Sequence, residues 1–218
     1  MKSFFALIDR LISAPEANRA GIEQFIWDSF RCEKAVLALD MSSFSLSVRR
    51  NGVVSHLCQI RRMQLLTKPI IDRSAGELLK YEADNLLAVF DDPAQAVEAA
   101  LAINRAVSES PHWSENVPRL AVSIGIDFGA MLVLPGEDCF GDPVNVAHKL
   151  GEDIAGPAEI LITDRVRQRL GAAPAFALER ITLSMSGVDV PAYRVGVRQA
   201  FQPDSPANSL GLADDQPA

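Results

Sequence analysis

The stretch AVLALDMSSFS, residues 35–45, opens with five apolar residues and stops them at Asp40. A carboxylate at the end of a buried-looking strand is costly to desolvate unless something compensates it, and a metal ion is one such compensation. A second stretch, GELLKYEADNLLAVF (76–90), carries Asp84 between two apolar halves, 44 residues further on. Residues 76–83 and 85–91 read as a hairpin whose tight turn contains Glu82, Ala83 and Asp84. If the first strand lies beside that hairpin, its end meets the turn and the two acids come together. Two carboxylates held close perturb each other's pKa, and divalent cations between them remove the repulsion. Taken singly, Asp40 also suits a helix N-cap and Asp84 a turn. A third stretch, CFGDPVNVAHKL (139–150), tips the balance toward a shared site.

The rest of the chain supplies a frame around these three stretches. Residues 1–33 read as one or two helices, with Phe4, Leu7, Ile8, Leu11 and Ile12, then Ile22, Phe25, Ile26 and Phe30 at helical spacing and Pro15 between them as a breaker. A strand is expected over 34–40. A helix is expected over 54–73, with Ile60, Met63, Leu66 and Ile70 on one face. Asp91-Asp92-Pro93 starts a helix through 94–107 with an acidic cap and a proline in the first turn. LAVSIGIDFGAMLVLP (120–135) is interrupted by Asp127, glycines and a proline, and reads as two strands, 118–127 and 130–135. A helix over 142–153, a strand over 158–162, a short helix over 164–170 and strands over 176–184 and 191–197 complete the order. The expected fold is α+β, a ferredoxin-like β-α-β-β-α-β core with an antiparallel-rich sheet, extra C-terminal strands and an N-terminal helical extension. The expected organisation is a helical extension over 1–33, a domain over 34–197, and a disordered tail over 198–218, rich in Pro, Asp, Ser and Gly.

Composition narrows the function. The 218 residues carry a formal charge of −7, which argues against a broad nucleic-acid surface while leaving room for a local cationic pocket. The three cysteines, Cys32, Cys58 and Cys139, form no CxxC pair, so neither a zinc site nor a disulfide framework is implied, and a reducing cytoplasm is the expected setting. MKSFFALIDRLISA is broken by Asp9 and Arg10 and reads as an amphipathic helix, not a signal peptide. No run reaches the length of a membrane span, so no membrane segment is expected on this chain. No GxxxxGK is present, which argues against a P-loop enzyme. His56 and His112 show no ligand spacing, and His148 reads as a packing or surface residue. Cys32 and Cys58 read as core thiols, and Arg61, Arg62 and Lys68 as a solvated helix face.

Together the stretches resemble the signature of class III nucleotide cyclase catalytic domains, over about residues 34–197. LALDMSSFS is similar to the motif in which the first metal Asp ends a strand before a small turn. KYEADNLLAVF is similar to the family's Lys-x-x-Gly-Asp hairpin, with Lys80 and Asp84 on the matching positions. CFGDPVNVAHKL matches the Gly-x-x-Val-Asn-x-Ala-x-Arg helix at Gly141, Val144, Asn145 and Ala147, and GEDIAGPAEILIT (151–163) resembles the stretch next to that helix in the family. The resemblance implies attack of a ribose 3′-hydroxyl on the α-phosphate of a nucleoside triphosphate, with two Mg²⁺ or Mn²⁺ ions per site. It implies that Asp40, Asp84 and the Met41 carbonyl hold the metals. Ser42, Ser43, Phe44 and Ser45 would cradle phosphates through the backbone of a turn. Asn145 would orient the ribose, and the sites would lie at a homodimer interface. Lys80 as donor and Asp138 as acceptor suit adenine, making ATP the expected substrate and cyclic AMP the product. A one-residue slip would put Cys139 in the place of Asp138.

Several positions depart from the family pattern. Lys149 stands where the family has an arginine, keeping the charge and losing the planar fork. A phosphate-binding lysine expected before the last hairpin is replaced by Met185 or Ser186. Ser43 and Ala83 each replace a glycine. These leave two alternatives beside an adenylate cyclase: a nucleotide-binding and dimerisation module with little turnover, and a cyclase for a pyrimidine nucleotide. Residues 1–33 are expected to act as a dimerisation or regulatory helix pair.

Overall fold

The computed structural model of the protein describes residues 2–42, 44–112, 117, 119–171, 175–185 and 188–196, with the side chains of 2–3, 44–51, 185 and 188–189 outside that description. The expected tail, 198–218, lies outside the described residues, as do Ser43 and Ser186. Two helices, α1 (Lys2–Ser13) and α2 (Glu16–Phe30), lead into β1 (Arg31–Met41) and α3 (Phe44–Arg73). The hairpin β2 (Gly76–Glu82) and β3 (Asn85–Phe90) is next, then α4 (Pro93–Glu109), β4 (Val122–Leu134), β5 (Asp138–Phe140) and α5 (Asp142–His148). A π-helical segment, Lys149–Ile154, continues α5 into β6 (Ile160–Thr163), α6 (Asp164–Arg169), β7 (Ala177–Met185) and β8 (Val188–Gly196).

The eight strands form one sheet in the order β2-β3-β1-β4-β6-β8-β7, with β5 paired to β4. All pairings are antiparallel except β4 with β6. The first four strands in this order are the ferredoxin-like core that the sequence pattern predicts. Strand β1 lies between β3 and β4, and its run Ala35–Leu39 is buried on both faces. Ala35, Leu37 and Leu39 pack with Met63 and Ile71 of α3 and Ile103 of α4. Val36 and Ala38 face the other way, onto Val144 and Ala147 of α5. Helices on both faces explain why this strand is continuously apolar instead of alternating. Each leucine or valine fully buried here contributes about 1.5–3 kcal/mol, so the strand that delivers Asp40 is firmly seated.

Three local features carry the frame. Asp92 caps α4, its carboxylate accepting the Ala94 N–H at 2.9 Å, with Pro93 in the first turn. Gly52 breaks α3 with φ 80° and ψ 161°, so the helix expected from residue 54 is the part beyond that break. The helices α1 and α2 rest on the sheet through Phe4, Ile26 and Leu134, with the Phe4 ring edge-on to Phe30 at 5.1 Å and stacked on Phe140 at 5.8 Å. Among the described residues, no helix is long and apolar enough to cross a membrane.

The two strands expected over 118–127 and 130–135 are one strand, β4, of 13 residues. Its glycines do not turn the chain; they admit α5. A Cβ at Gly125 would stand 2.2 Å from the Ala147 carbonyl oxygen, and one at Gly129 would stand 2.9 Å from the Pro143 ring. Asp127 does not end the strand either. It is fully buried and bonded to Thr163 and Arg165, so a side-chain network compensates it inside the strand. The helix expected over 142–153 is α-helical only to His148, after which the π segment begins. The two thiols read as core, Cys32 and Cys58, are half-buried, while Cys139 is buried.

Candidate active site

Asp40 is the penultimate residue of β1. The register Leu39↔Leu86 places Asn85 across from it on β3 and Asp84 in the adjoining turn. Ser42 N–H donates to the Ala121 carbonyl at 3.0 Å, one pair beyond the last β1–β4 partners, and the chain then enters α3. The turn is tight, and Ala83, in the position of the family's glycine, adopts φ 52°, a left-handed conformation that disfavours a side chain.

The two carboxyls share one electrostatic environment. Burial is the largest influence on Asp40, followed by the charges of Asp84 and Glu152, and together they push its pKa up to about 7 against the easing bond to the Met41 backbone. The Asp84 carboxyl is also raised, chiefly by burial. Its own backbone bond and the nearby His56 work the other way, and Glu152 adds to the rise. The charge of Asp84 adds to the rise at Asp40, the more enclosed of the two acids. His56, read from sequence as unremarkable, is a buried side chain of α3 beside this turn.

Glu152 is the third acid of the cluster, and it was not singled out by the sequence. It reaches the turn because the π segment lies against the sheet: a Cβ at Gly151 would stand 2.8 Å from the Ala38 carbonyl oxygen. The Glu152 carboxylate accepts from the Asn85 side-chain amide at 3.0 Å and from His148 Nδ1 at 2.6 Å. Asn85 Oδ1 is enclosed and has no hydrogen-bond partner among the described residues.

These groups fit a hard divalent cation. Carboxylate and amide oxygens are the ligands such ions take, and both charges that act on Asp40 are negative. Among the described residues no three His, Cys, Asp or Glu side chains form a ready metal cage. An ion held here would therefore rest on one or two carboxylates and keep sites for water or phosphate, as magnesium does.

A second pair forms elsewhere on the hairpin. Lys80 Nζ lies 3.0 Å from Asp138 Oδ2 and 3.3 Å from Glu82. A bulge at Leu79 shifts the β2–β3 register between Leu78 and Lys80, and bulges re-aim side chains in this way. Asp138 opens β5, accepts the Cys139 N–H at 2.9 Å and is half-buried. Cys139 is buried, its thiol pushed up to about 12 mainly by burial. The partner of Lys80 is therefore Asp138 and not Cys139.

Asn145 is exposed on α5, while Val144 and Ala147 face the sheet. Lys149 lies one turn on, 3.8 Å from Asp153. Ser42 is half-buried, and Phe44 and Ser45 open α3 with side chains outside the described residues. In one chain, then, Asp40 meets Asp84 and Lys80 meets Asp138, while Asn145 and Lys149 line a separate helix face. Two networks escaped the sequence reading, an exposed one around Glu152 and one around the buried Asp127. Glu152 comes four residues after His148, a helical pairing distance that could have marked it. Asp127 and Arg165 are 38 positions apart and only the fold joins them.

Comparison with known proteins places this geometry in context. No family model matches the chain. A curated Rhizobium meliloti (strain 1021) protein, provisionally named adenylate cyclase 3, is 27% identical over 134 residues, covering 62% of this chain and 22% of that protein. The chain thus spans about a fifth of that relative's length. The adenylate/guanylate cyclase/hydrolase from Silicibacter pomeroyi is 27% identical and superposes with a TM-score of 0.62, covering 77% of this chain and 98% of the other. The catalytic core of a rhodopsin-guanylyl cyclase with converted specificity, solved in complex with ATPalphaS, superposes with a TM-score of 0.67 at 22% identity, covering 77% of this chain and 98% of the other.

Proposed function

We propose that the chain is a divergent class III nucleotide cyclase domain that converts ATP to cyclic AMP and pyrophosphate, a reading supported by its similarity to adenylate and guanylate cyclases. The observation that carries this reading is the convergence of Asp40 and Asp84, partly buried and surrounded by further negative charge. Such a cluster is incomplete without cations. Asp40, Asp84 and the Met41 carbonyl would hold two Mg²⁺ or Mn²⁺ ions, which when bound supply Lewis-acid activation of the 3′-hydroxyl and neutralise the triphosphate.

The chain's own residues do the rest. The turn 42–45 offers backbone N–H groups to the phosphates as it enters α3. Lys80 and Asp138 present one donor and one acceptor, the pattern that adenine matches and guanine reverses. Asn145 orients the ribose, and Lys149 faces the charge that develops as the 3′-oxygen bonds to the α-phosphorus and the bond to the β-phosphate breaks. In a homodimer the metal acids of one subunit would meet Lys80, Asp138, Asn145 and Lys149 of the other.

A specific observation favours a second reading, a nucleotide-binding module with little turnover. Lys149 already faces Asp153, and Met185 or Ser186 falls where the family carries a phosphate lysine. One experiment separates the two. The purified protein is incubated with ATP, GTP, CTP and UTP in turn, with Mg²⁺ or Mn²⁺, and the products are identified by mass spectrometry beside Asp40→Ala. Cyclic AMP that vanishes in the variant supports the cyclase. A cyclic pyrimidine product keeps the mechanism and overturns the base assignment. No product from any nucleotide leaves the binding module.

A further inference from the structure

The bridge formed by His148, Glu152 and Asn85 links the helix that carries Asn145 and Lys149 to the turn that carries Asp84. We propose that Glu152 is a positioning residue: anchored by His148, it holds Asn85 and with it the turn between β2 and β3. This rests on the reading of Asp40 and Asp84 as the cation-holding pair.

The geometry supports it in three ways. First, both ends of the bridge are fixed. His148 Nδ1 meets Glu152 at 2.6 Å from the last turn of α5, and Asn85 meets the same oxygen at 3.0 Å from the first position of β3. Second, the backbone is shaped for the reach. The π segment sets Gly151 against the Ala38 carbonyl, and its end is closed by Ala155 N–H to Leu150 at 2.8 Å. Helices widen in this way frequently at functional sites. Third, the turn needs support, since Ala83 holds a left-handed conformation without being glycine.

Partners that orient metal ligands typically govern metal affinity, and their loss weakens it about 10–100-fold. Glu152 would act in this way through Asn85. The test uses the full chain, with free Mn²⁺ counted by its electron paramagnetic resonance signal and the unfolding midpoint measured in parallel. Glu152→Ala and Asn85→Ala should each weaken Mn²⁺ binding about tenfold without lowering the midpoint, and His148→Ala less so. Glu152→Gln should restore binding to within about threefold, because its amide oxygen still accepts both bonds. The same variants should raise the Mn²⁺ concentration needed for half-maximal cyclic nucleotide formation more than they lower kcat.

Unchanged Mn²⁺ binding in Glu152→Ala and Asn85→Ala would overturn the proposal even if the wild type makes cyclic nucleotide. Glu152→Gln as weak as Glu152→Ala would also overturn it, since charge and not a held geometry would then be acting. The expected binding pattern without cyclic nucleotide from any triphosphate would uphold the bridge and sink only the proposed reaction.

Discussion

Asp40 and Asp127 are carboxylates set into two neighbouring apolar strands, and the fold treats them in opposite ways. Asp127 is fully buried in β4 and bonded to Thr163 and Arg165, with Arg165 also reaching Asp142 at 2.7 Å. Its charge is answered within the chain. Asp40, at the end of β1, meets Asp84 and Glu152, and its pKa rises to about 7. Among the described residues, no charge of opposite sign acts on it. A buried acid with an internal partner belongs to the architecture; one surrounded by its own sign points to something that arrives from outside.

The largest expected break in this comparison is catalytic. Asp40→Ala should lower cyclic nucleotide formation at least about a thousandfold, matching the several kcal/mol a bound cation contributes to such a transition state. Asp127→Asn should change kcat far less, as product assays of the two variants side by side will tell. Arg165→Ala should destabilise the fold by about 3 kcal/mol in urea, because it strands the buried Asp127 charge. An equal loss in an Asp127→Asn, Arg165→Ala double variant would show that the stranded charge is not the cause.

The pH dependence should sharpen the contrast. The folded pKa of Asp40 is above its unfolded value of 3.8, so the ionised acid opposes folding. That penalty is absent below about pH 4, grows as pH rises through about 7, and is complete above it. Without metal, Asp40→Asn should therefore unfold at higher temperature than the wild type at pH 8 and lose that advantage at pH 4. Half-exposure limits the gain to about 1–2 kcal/mol. A gain that is the same at both pH values would remove the electrostatic explanation. The smallest effect belongs to the turn: Ala83→Gly should stabilise the protein by about 0.5–1 kcal/mol through relief of its left-handed backbone. Denaturant titration resolves a change of that size.

The sequence by itself determined the order of elements and the meeting of Asp40 with Asp84. Both come from short-range information: apolar runs that must be buried, a tight turn between them, and one strand long enough to lie beside that hairpin. It also singled out Lys80 and Asp138, which the fold brings to 3.0 Å. Other parts were decided only by tertiary structure. Gly125 and Gly129 look like breaks in a strand until α5 is seen to lie on them, because close approach between elements leaves no local mark. Asp127 looks like the end of a strand until Arg165 is placed beside it, since an ion pair 38 positions apart is visible only once the chain is folded. Glu152 reads as one more charged residue of the helix expected over 142–153, marked only by its spacing from His148. Its position depends on a π segment seated on β1, and that seating is set by packing against the sheet, not by the propensity of the residues that form it.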